Sequence, residues 1–161
     1  MAAAQNVGIR WCKRQGCRYV LFLDQDSIPH PSMVKGLLQA LNRLVAQGQR
    51  IAAVGPRYRD PRTGATSRFI RFGWGRTRPV PCGDIVPVDF LIASGMLVPM
   101  STLEAVGGMD EGLAIDHVDT EWLLRARALG YRPYGVCAAW MEHQLGEGGT
   151  RWLGRVIPRH R

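Results

Sequence analysis

The sequence predicts an α/β domain whose mixed, mostly parallel sheet is flanked by helices, and three observations carry that expectation. An apolar run, Arg18-Tyr19-Val20-Leu21-Phe22-Leu23, ends abruptly in Asp24-Gln25-Asp26-Ser27, as a buried parallel strand does when it reaches a ligand-binding edge. An amphipathic stretch over 32–47 then leads into a second apolar segment, Ile51 to Val54, giving the strand, helix, strand order of a parallel unit with a right-handed crossover. Near the other end, a helical pattern over 120–129 is followed by Tyr131 to Trp140, which again reads as a strand.

Residues Ala2 to Gln15 read as the opening helix. Val7, Ile9 and Trp11 give it apolar content, and Gly16 can stop it in the left-handed conformation. The strand ending at Asp24 follows. In the second helix Met33, Val34, Leu37, Leu38, Leu41, Leu44 and Val45 recur at three- and four-residue spacing, and Gly48 closes it. Gly36 inside it costs roughly 1 kcal/mol relative to Ala, which the apolar face outweighs. From Gly55 to Gly83 the chain is rich in Gly, Pro and Arg without clear periodicity, so a long connection with at most short strands is expected. Ile85 to Val98 is apolar again. It is interrupted by Ser94-Gly95, where a missing side chain permits either a bulge or the close approach of a ligand or backbone. A turn at Gly107-Gly108-Met109-Asp110-Glu111 precedes the helix with Trp122, Leu123, Ala126 and Leu129 on its buried face.

Composition bounds the function. The apolar fraction of 46% and charged fraction of 21% are those of one globular domain and exclude a disordered chain. Twenty-one Lys and Arg against 13 Asp and Glu give a formal charge of +8, which favours anionic partners such as nucleotide sugars, lipid head groups or nucleic acid. Much of that charge lies in Arg57, Arg59, Arg62, Arg68, Arg71, Arg76 and Arg78, and in the tail residues Arg151, Arg155, Arg159 and Arg161. A solvated loop face would carry the same pattern. Cys12, Cys17, Cys82 and Cys137 are scattered without C-x-x-C spacing, which argues against a zinc site and for free thiols in a reducing compartment. No signal peptide is evident, and the apolar run over 85–100 is interrupted by Pro87, Asp89 and Pro99.

The chemistry-bearing residues form two acidic groups and a histidine. In extended backbone Asp24 and Asp26 project to the same side, so both carboxylates can meet one hard cation, although the same residues could simply cap the next helix. Asp116, Asp119 and Glu121 crowd the start of the later helix, where the helix dipole alone explains one acid well and three less well. Glu121 also stands four residues before Arg125, the spacing of a surface ion pair. His143 follows the last predicted strand, as the acid pair follows the first. Two acids and a histidine suit Mn²⁺ or Mg²⁺ with open positions for diphosphate oxygens.

Four ordered blocks, Leu23-Asp24-Gln25-Asp26-Ser27, Phe90-Leu91-Ile92-Ala93-Ser94-Gly95, Ile115 to Ala126, and Glu142-His143-Gln144-Leu145-Gly146, resemble family-2 inverting glycosyltransferases. Within that family the bacterial rhamnosyltransferases of surface polysaccharide synthesis are the most similar. The resemblance implies a GT-A fold, a nucleotide-sugar donor with dTDP-rhamnose foremost, and a divalent cation. Asp24 and Asp26 then match the Asp-x-Asp motif that binds metal and donor. Asp119 matches the catalytic base, and His143 a histidine that often completes the metal shell. Ser94 and Gly95 match a donor-side segment, and Asp116, Glu121 and Trp122 become acceptor-side candidates.

Family members begin with nucleotide-binding strands before the Asn-x-Gly helix that Asn6-Val7-Gly8-Ile9 resembles. The expectation is therefore a partial GT-A fold over 1–161, a single incomplete catalytic domain truncated at both ends. The acceptor is expected to be a saccharide or lipid-linked saccharide. Place of action is expected to be the cytoplasm or the inner face of the cytoplasmic membrane, with the basic tail and Trp152 near the lipid and no nucleic-acid partner. The competing expectation is an inactive fragment that acts as a basic binding module for nucleic acid or anionic lipid.

Overall fold

The computed structural model describes residues 1–73, 76–113 and 117–143 in full, together with the backbone of 150–152 and 155–157. In chain order the elements are α1 (Ala2–Arg14), β1 (Tyr19–Leu21), β2 (Ile28–Pro29), α2 (Met33–Ala46), β3 (Ile51–Arg59), β4 (Ile70–Gly73), β5 (Arg76–Pro79), β6 (Ile85–Pro87), β7 (Leu97–Pro99), α3 (Met100–Val106), α4 (Val118–Ala128) and β8 (Arg132–Glu142). Two short strands, β9 (Thr150–Trp152) and β10 (Arg155–Ile157), pair antiparallel with each other.

The main sheet has the order β1-β7-β3-β8-β2, with β6 also on β8. It is mixed, and here the expectation of a mostly parallel sheet is corrected. Among the described residues only β3 and β8 pair in parallel, whereas the pairings of β1 with β7, β7 with β3, β2 with β8 and β6 with β8 are antiparallel. The reason is the insertion of β7. Because β1 and β3 both run opposite to β7, they run in the same direction as each other and as β8. The strand, helix, strand unit is therefore parallel in sense, but its two strands are neighbours of β7 and not of each other.

Helices cover both faces. On one side Ile9 of α1, Leu103 and Val106 of α3, and Trp122, Leu123 and Ala126 of α4 pack with Val20, Phe22, Ala53 and Val98. On the other, Met33, Leu37, Leu41 and Leu44 of α2 pack with Ile51, Val54, Leu97, Val136 and Met141. Neighbours along one strand, Ala53 and Val54 in β3 and Leu97 and Val98 in β7, are all buried and fall in opposite layers, which is the alternation of a strand covered on both faces. Fully burying each such aliphatic side chain contributes about 1.5–3 kcal/mol. Not every apolar residue of α1 is used: Ile9 is buried, but Val7 and Trp11 are exposed.

The stretch expected to be one long connection is more ordered. β3 runs on from Val54 to Arg59, and its register with β8 jumps from Pro56↔Val136 to Arg57↔Trp140. A proline has no N–H to give a ladder, so it is tolerated at this break. The jump leaves Cys137, Ala138 and Ala139 bulged from the ladder, and Cys137 is disulfide-bonded to Cys82 across a sequence separation of 55. The expectation of four thiols is thus corrected, since only Cys12 and Cys17 are free. Spacing along the chain could not reveal the pair, because pairing of β6 with β8 is what brings position 82 to the bulge.

The turn at 107–111 is fixed by a residue that sequence reasoning had matched only as part of a helix signature. The Asn6 carboxamide donates to Met109 O at 2.9 Å and to Glu111 Oε1 at 2.8 Å, while Met109 N donates back to Asn6 Oδ1 at 2.8 Å. Asn6 is 9% exposed, so this two-way amide pairing ties α1 to the approach to α4. No helix among the described residues is long and apolar enough to cross a membrane.

Candidate active site

The co-directional strands β1, β3 and β8 release their chains at the same edge of the sheet, and the functional side chains gather there. Beyond β1 the backbone keeps one more exchange with the segment before β7: Phe22 N donates to Met96 O at 3.0 Å and Gly95 N to Phe22 O at 2.8 Å. Gly95 has φ +81°, and a Cβ there would lie 2.6 Å from Pro56 Cγ and 3.0 Å from Met141 Sδ. Only glycine satisfies both the left-handed backbone and that approach. Of the two readings of Ser94-Gly95, close approach to neighbouring protein atoms is thus what the fold uses Gly95 for.

This backbone places Ser94, 1% exposed, against the Asp-x-Asp turn. Asp24 N donates to Ser94 Oγ at 3.2 Å, Ser94 Oγ lies 2.6 Å from Ser27 Oγ, and Ser27 Oγ lies 2.9 Å from His143 Nδ1. The three contacts run continuously from the Asp24 amide through the two serine hydroxyls to the imidazole, and each hydroxyl has one hydrogen and two lone pairs with which to join its neighbours. Ser27 is the link that sequence reasoning missed; its signal was its place directly after the acid pair.

His143 is fixed from three sides. Its N–H donates to Arg59 O at 3.1 Å, which joins the ends of β8 and β3. The Tyr58 ring meets its imidazole edge-on at 5.8 Å between centroids. Its Nδ1 lies 3.5 Å from Asp26 Oδ1, with His143 9% and Asp26 49% exposed at the side chain. One ligand atom from each of Asp24, Asp26 and His143 falls within 4.8 Å of the others. Two carboxylates and an imidazole of that spacing fit a hard or borderline divalent cation. Burial raises the Asp24 pKa above its ordinary value; Asp26 and Asp119 add to the rise, and His143 opposes it. Crowded carboxylates of this kind are what a cation would relieve.

Asp119 stands in the first turn of α4 and reaches the same region. Its Oδ2 accepts from Ala93 N at 3.2 Å, while Oδ1 accepts from Thr120 N at 2.7 Å and Thr120 Oγ1 at 3.3 Å. A carboxylate has about four acceptor positions, so these bonds fix Asp119 and leave room for one more donor. The residue before α4's first turn is also special: His117 has φ 67°, in the left-handed region.

The remaining candidates separate from this cluster. Glu121 is held by a two-point ion pair with Arg125, which also donates to Val106 O and Gly108 O. Trp122 is 0% exposed and its Nε1 donates to Gly107 O at 2.8 Å. These bonds use Glu121 and Trp122 to seat α4, and burial leaves Trp122 no ring face for an acceptor. Asp116 lies outside the described residues, as do Gln144, Leu145 and Gly146.

Comparison with known proteins bears on the family and the fold. The chain is 31% identical over 171 aligned residues to a dTDP-rhamnosyl transferase, RfbF, of Shigella flexneri, across 99% of the chain and 54% of that protein. It therefore spans about half the length of this relative. The crystal structure of A197 from STIV superposes with a TM-score of 0.61 at 14% identity, covering 91% of this chain and 69% of that one, a likeness of fold alone. Residues 1–97 match glycosyl transferase family 2, and on these grounds the chain, an α/β protein with a partial GT-A fold, belongs to the family-2 glycosyltransferases.

Proposed function

We propose that this chain carries the transfer site of an inverting rhamnosyltransferase acting in cell-surface polysaccharide synthesis. The observation that carries the reading is the convergence of Asp24, Asp26 and His143 from two separate strand ends, with the charge of Asp119 felt at Asp24. The relative's name supports dTDP-rhamnose as donor. We take residues 1–161 as one incomplete catalytic domain.

In this reading Asp24, Asp26 and His143 hold Mn²⁺ or Mg²⁺, which when bound supplies Lewis-acid stabilisation of the leaving diphosphate. Ser94 and Ser27 keep the acid turn and His143 in register, and Gly95 sets the backbone that delivers Ser94 to the donor side. Asp119, fixed by Ala93 and Thr120, takes the proton from the attacking acceptor hydroxyl. Because the acid pair and the base serve opposite ends of the displacement, one step suffices and C1 inverts. The acceptor is a saccharide or lipid-linked saccharide, at the inner face of the cytoplasmic membrane.

Calorimetric titration of Mn²⁺ together with dTDP or dTDP-rhamnose tests the donor site. Binding that requires metal and disappears in Asp26→Ala is the expected result. Metal-independent binding, or binding untouched by the substitution, refutes it. Asp119→Asn is expected to keep donor binding and lose transfer to the acceptor.

A further inference from the structure

The β4/β5 ribbon has no part in the transfer site, yet its side chains are sorted. Between Asp60 and Asp84 the chain carries Arg62, Arg68, Arg71, Arg76 and Arg78 and no acidic residue. The register pairs Ile70↔Pro79, Arg71↔Arg78, Phe72↔Thr77 and Gly73↔Arg76. Side chains alternate along a strand, so Arg71, Arg78 and Arg76 share one face and Ile70, Phe72, Thr77 and Pro79 the other. Arg78 lies across Gly73, its Nε 3.5 Å from where a Cβ would stand, as expected for neighbours on one face.

This distribution does not serve the ribbon itself. Arg71 directly opposite Arg78 is a like-charge pair, which is destabilising in a two-stranded hairpin. Apart from Ile70 the ribbon's residues are exposed, and Phe72 is 43% exposed. Its root, by contrast, is firmly held. Phe69 is 6% exposed and packs so closely on Gly135 that a Cβ there would be 2.5 Å from its ring. Phe72 N donates to Asp89 Oδ2 at 2.7 Å, Arg71 Nε donates to Pro87 O at 3.0 Å, and Cys82–Cys137 clips the chain just past β5 to β8. Arg71 also borders a cleft of about 450 Å³ with Arg127 and Arg132. The acid in that cleft, Asp89, is occupied by Arg127 at 3.1 Å and by the Phe72 amide.

We propose that the β4/β5 ribbon, with the adjoining Arg127/Arg132 cleft, is the surface by which the protein sits on an anionic phospholipid bilayer. With the ribbon edge-on to the bilayer, the guanidiniums of one face meet lipid phosphates while Phe72 of the other enters the interfacial layer. The arrangement combines basic groups with an exposed aromatic, which is what an anionic lipid surface rewards and a free phosphate does not. The inference refines the membrane location in the proposed function by assigning it to this ribbon in place of the basic tail, and it depends on neither donor nor metal.

The test is co-sedimentation of the full chain with vesicles of phosphatidylcholine alone or with about one-third phosphatidylglycerol. The chain is expected to bind the anionic vesicles, to bind neutral ones far less, and to be released by added salt. At about one kcal/mol per basic residue, R71Q/R76Q/R78Q lowers partitioning roughly a hundredfold, and Phe72→Ala lowers it severalfold. R155Q/R159Q/R161Q in the tail leaves it within a few-fold of the wild type. The triple ribbon variant removes a repulsive pair together with the Arg71 bond to Pro87 O, so a cooperative thermal transition near that of the wild type serves as its folding control. Equal binding by that variant, loss of binding through the tail variant instead, or tighter binding to a DNA oligonucleotide than to the vesicles overturns the proposal. Vesicle binding needs no nucleotide, so failure of the donor titration leaves this result readable.

Discussion

Breaking the Cys82–Cys137 bond, by a reductant or as Cys82→Ser, tests the least expected part of the fold. The bond spans a sequence separation of 55 and closes a loop that begins just past the β4/β5 ribbon, contains β6, β7, α3 and α4, and returns to β8. Chain-entropy reasoning for a loop of that length gives about 4 kcal/mol of stabilisation, through restriction of the unfolded chain. The fold around the bond survives its loss, because Ile85↔Val136 pairing and the Cys137 N to Asp84 O hydrogen bond at 2.9 Å hold the same place. For a chain of this size that energy corresponds to a thermal midpoint lower by about 10 °C. The assay is thermal unfolding with and without reductant, beside alkylation and mass measurement of the unreduced, unfolded protein. Two alkylated cysteines, Cys12 and Cys17, and a midpoint that drops on reduction are expected. Four alkylated cysteines, or a midpoint indifferent to reductant, would refute the pairing and restore the reading of four thiols.

Three further outcomes follow from the site. Ser27→Ala removes the link between Ser94 and His143, leaving two buried polar atoms without it; a stability loss of about 2 kcal/mol in urea unfolding is expected, reversed in part by saturating Mn²⁺. The folded pKa of Asp24 is raised above its unfolded value, chiefly by burial, so the carboxyl contributes stability that is present below the unfolded pKa and lost as pH rises through the folded one. In chelator, the midpoint measured from about pH 4 upward should therefore fall through that window in the wild type and less in Asp24→Asn. Gly95→Ala forces a Cβ to 2.6 Å from Pro56 at φ +81° and is expected to cost about 3 kcal/mol; a midpoint equal to the wild type's would show that the 94–96 backbone is free to move.

What was legible in the sequence was local. The run from Tyr19 to Leu23 read as a strand because it is apolar without interruption, and 32–47 read as a helix because its leucines keep helical spacing. Neither signal needs a distant partner, and the helix read over 32–47 forms over Met33–Ala46. The features that did not show are the ones made by partners far along the chain. β7 is three residues long, too short to announce its direction, yet its antiparallel insertion between β1 and β3 changes the pairing of the sheet. α3, seven residues long, has no periodicity of its own length to separate it from the apolar run before it. The ribbon could not be read because Arg71, Arg76 and Arg78 look like a solvated loop until the register shows that they share a face.

The site divides the same way, and the division bears on how it works. Asp24 and Asp26 could be placed at a strand end because two acids after an apolar run are a local pattern, and His143 because it repeats that pattern at another strand. Their meeting could not be read from either segment, since it depends on β1, β3 and β8 running in one direction while the Arg59 carbonyl takes the His143 amide. Ser27 and Ser94 are small, common residues with no distinguishing spacing, yet they are the hydrogen-bonded bridge from the acid turn to the histidine. Ser94 in turn depends on Gly95, whose left-handed backbone is packed against Pro56 at the break in the β3/β8 ladder. The irregularity in the sheet and the geometry of the acid cluster are thus one feature: a side chain at position 95 would displace the proline at the break and carry Ser94 away from Asp24.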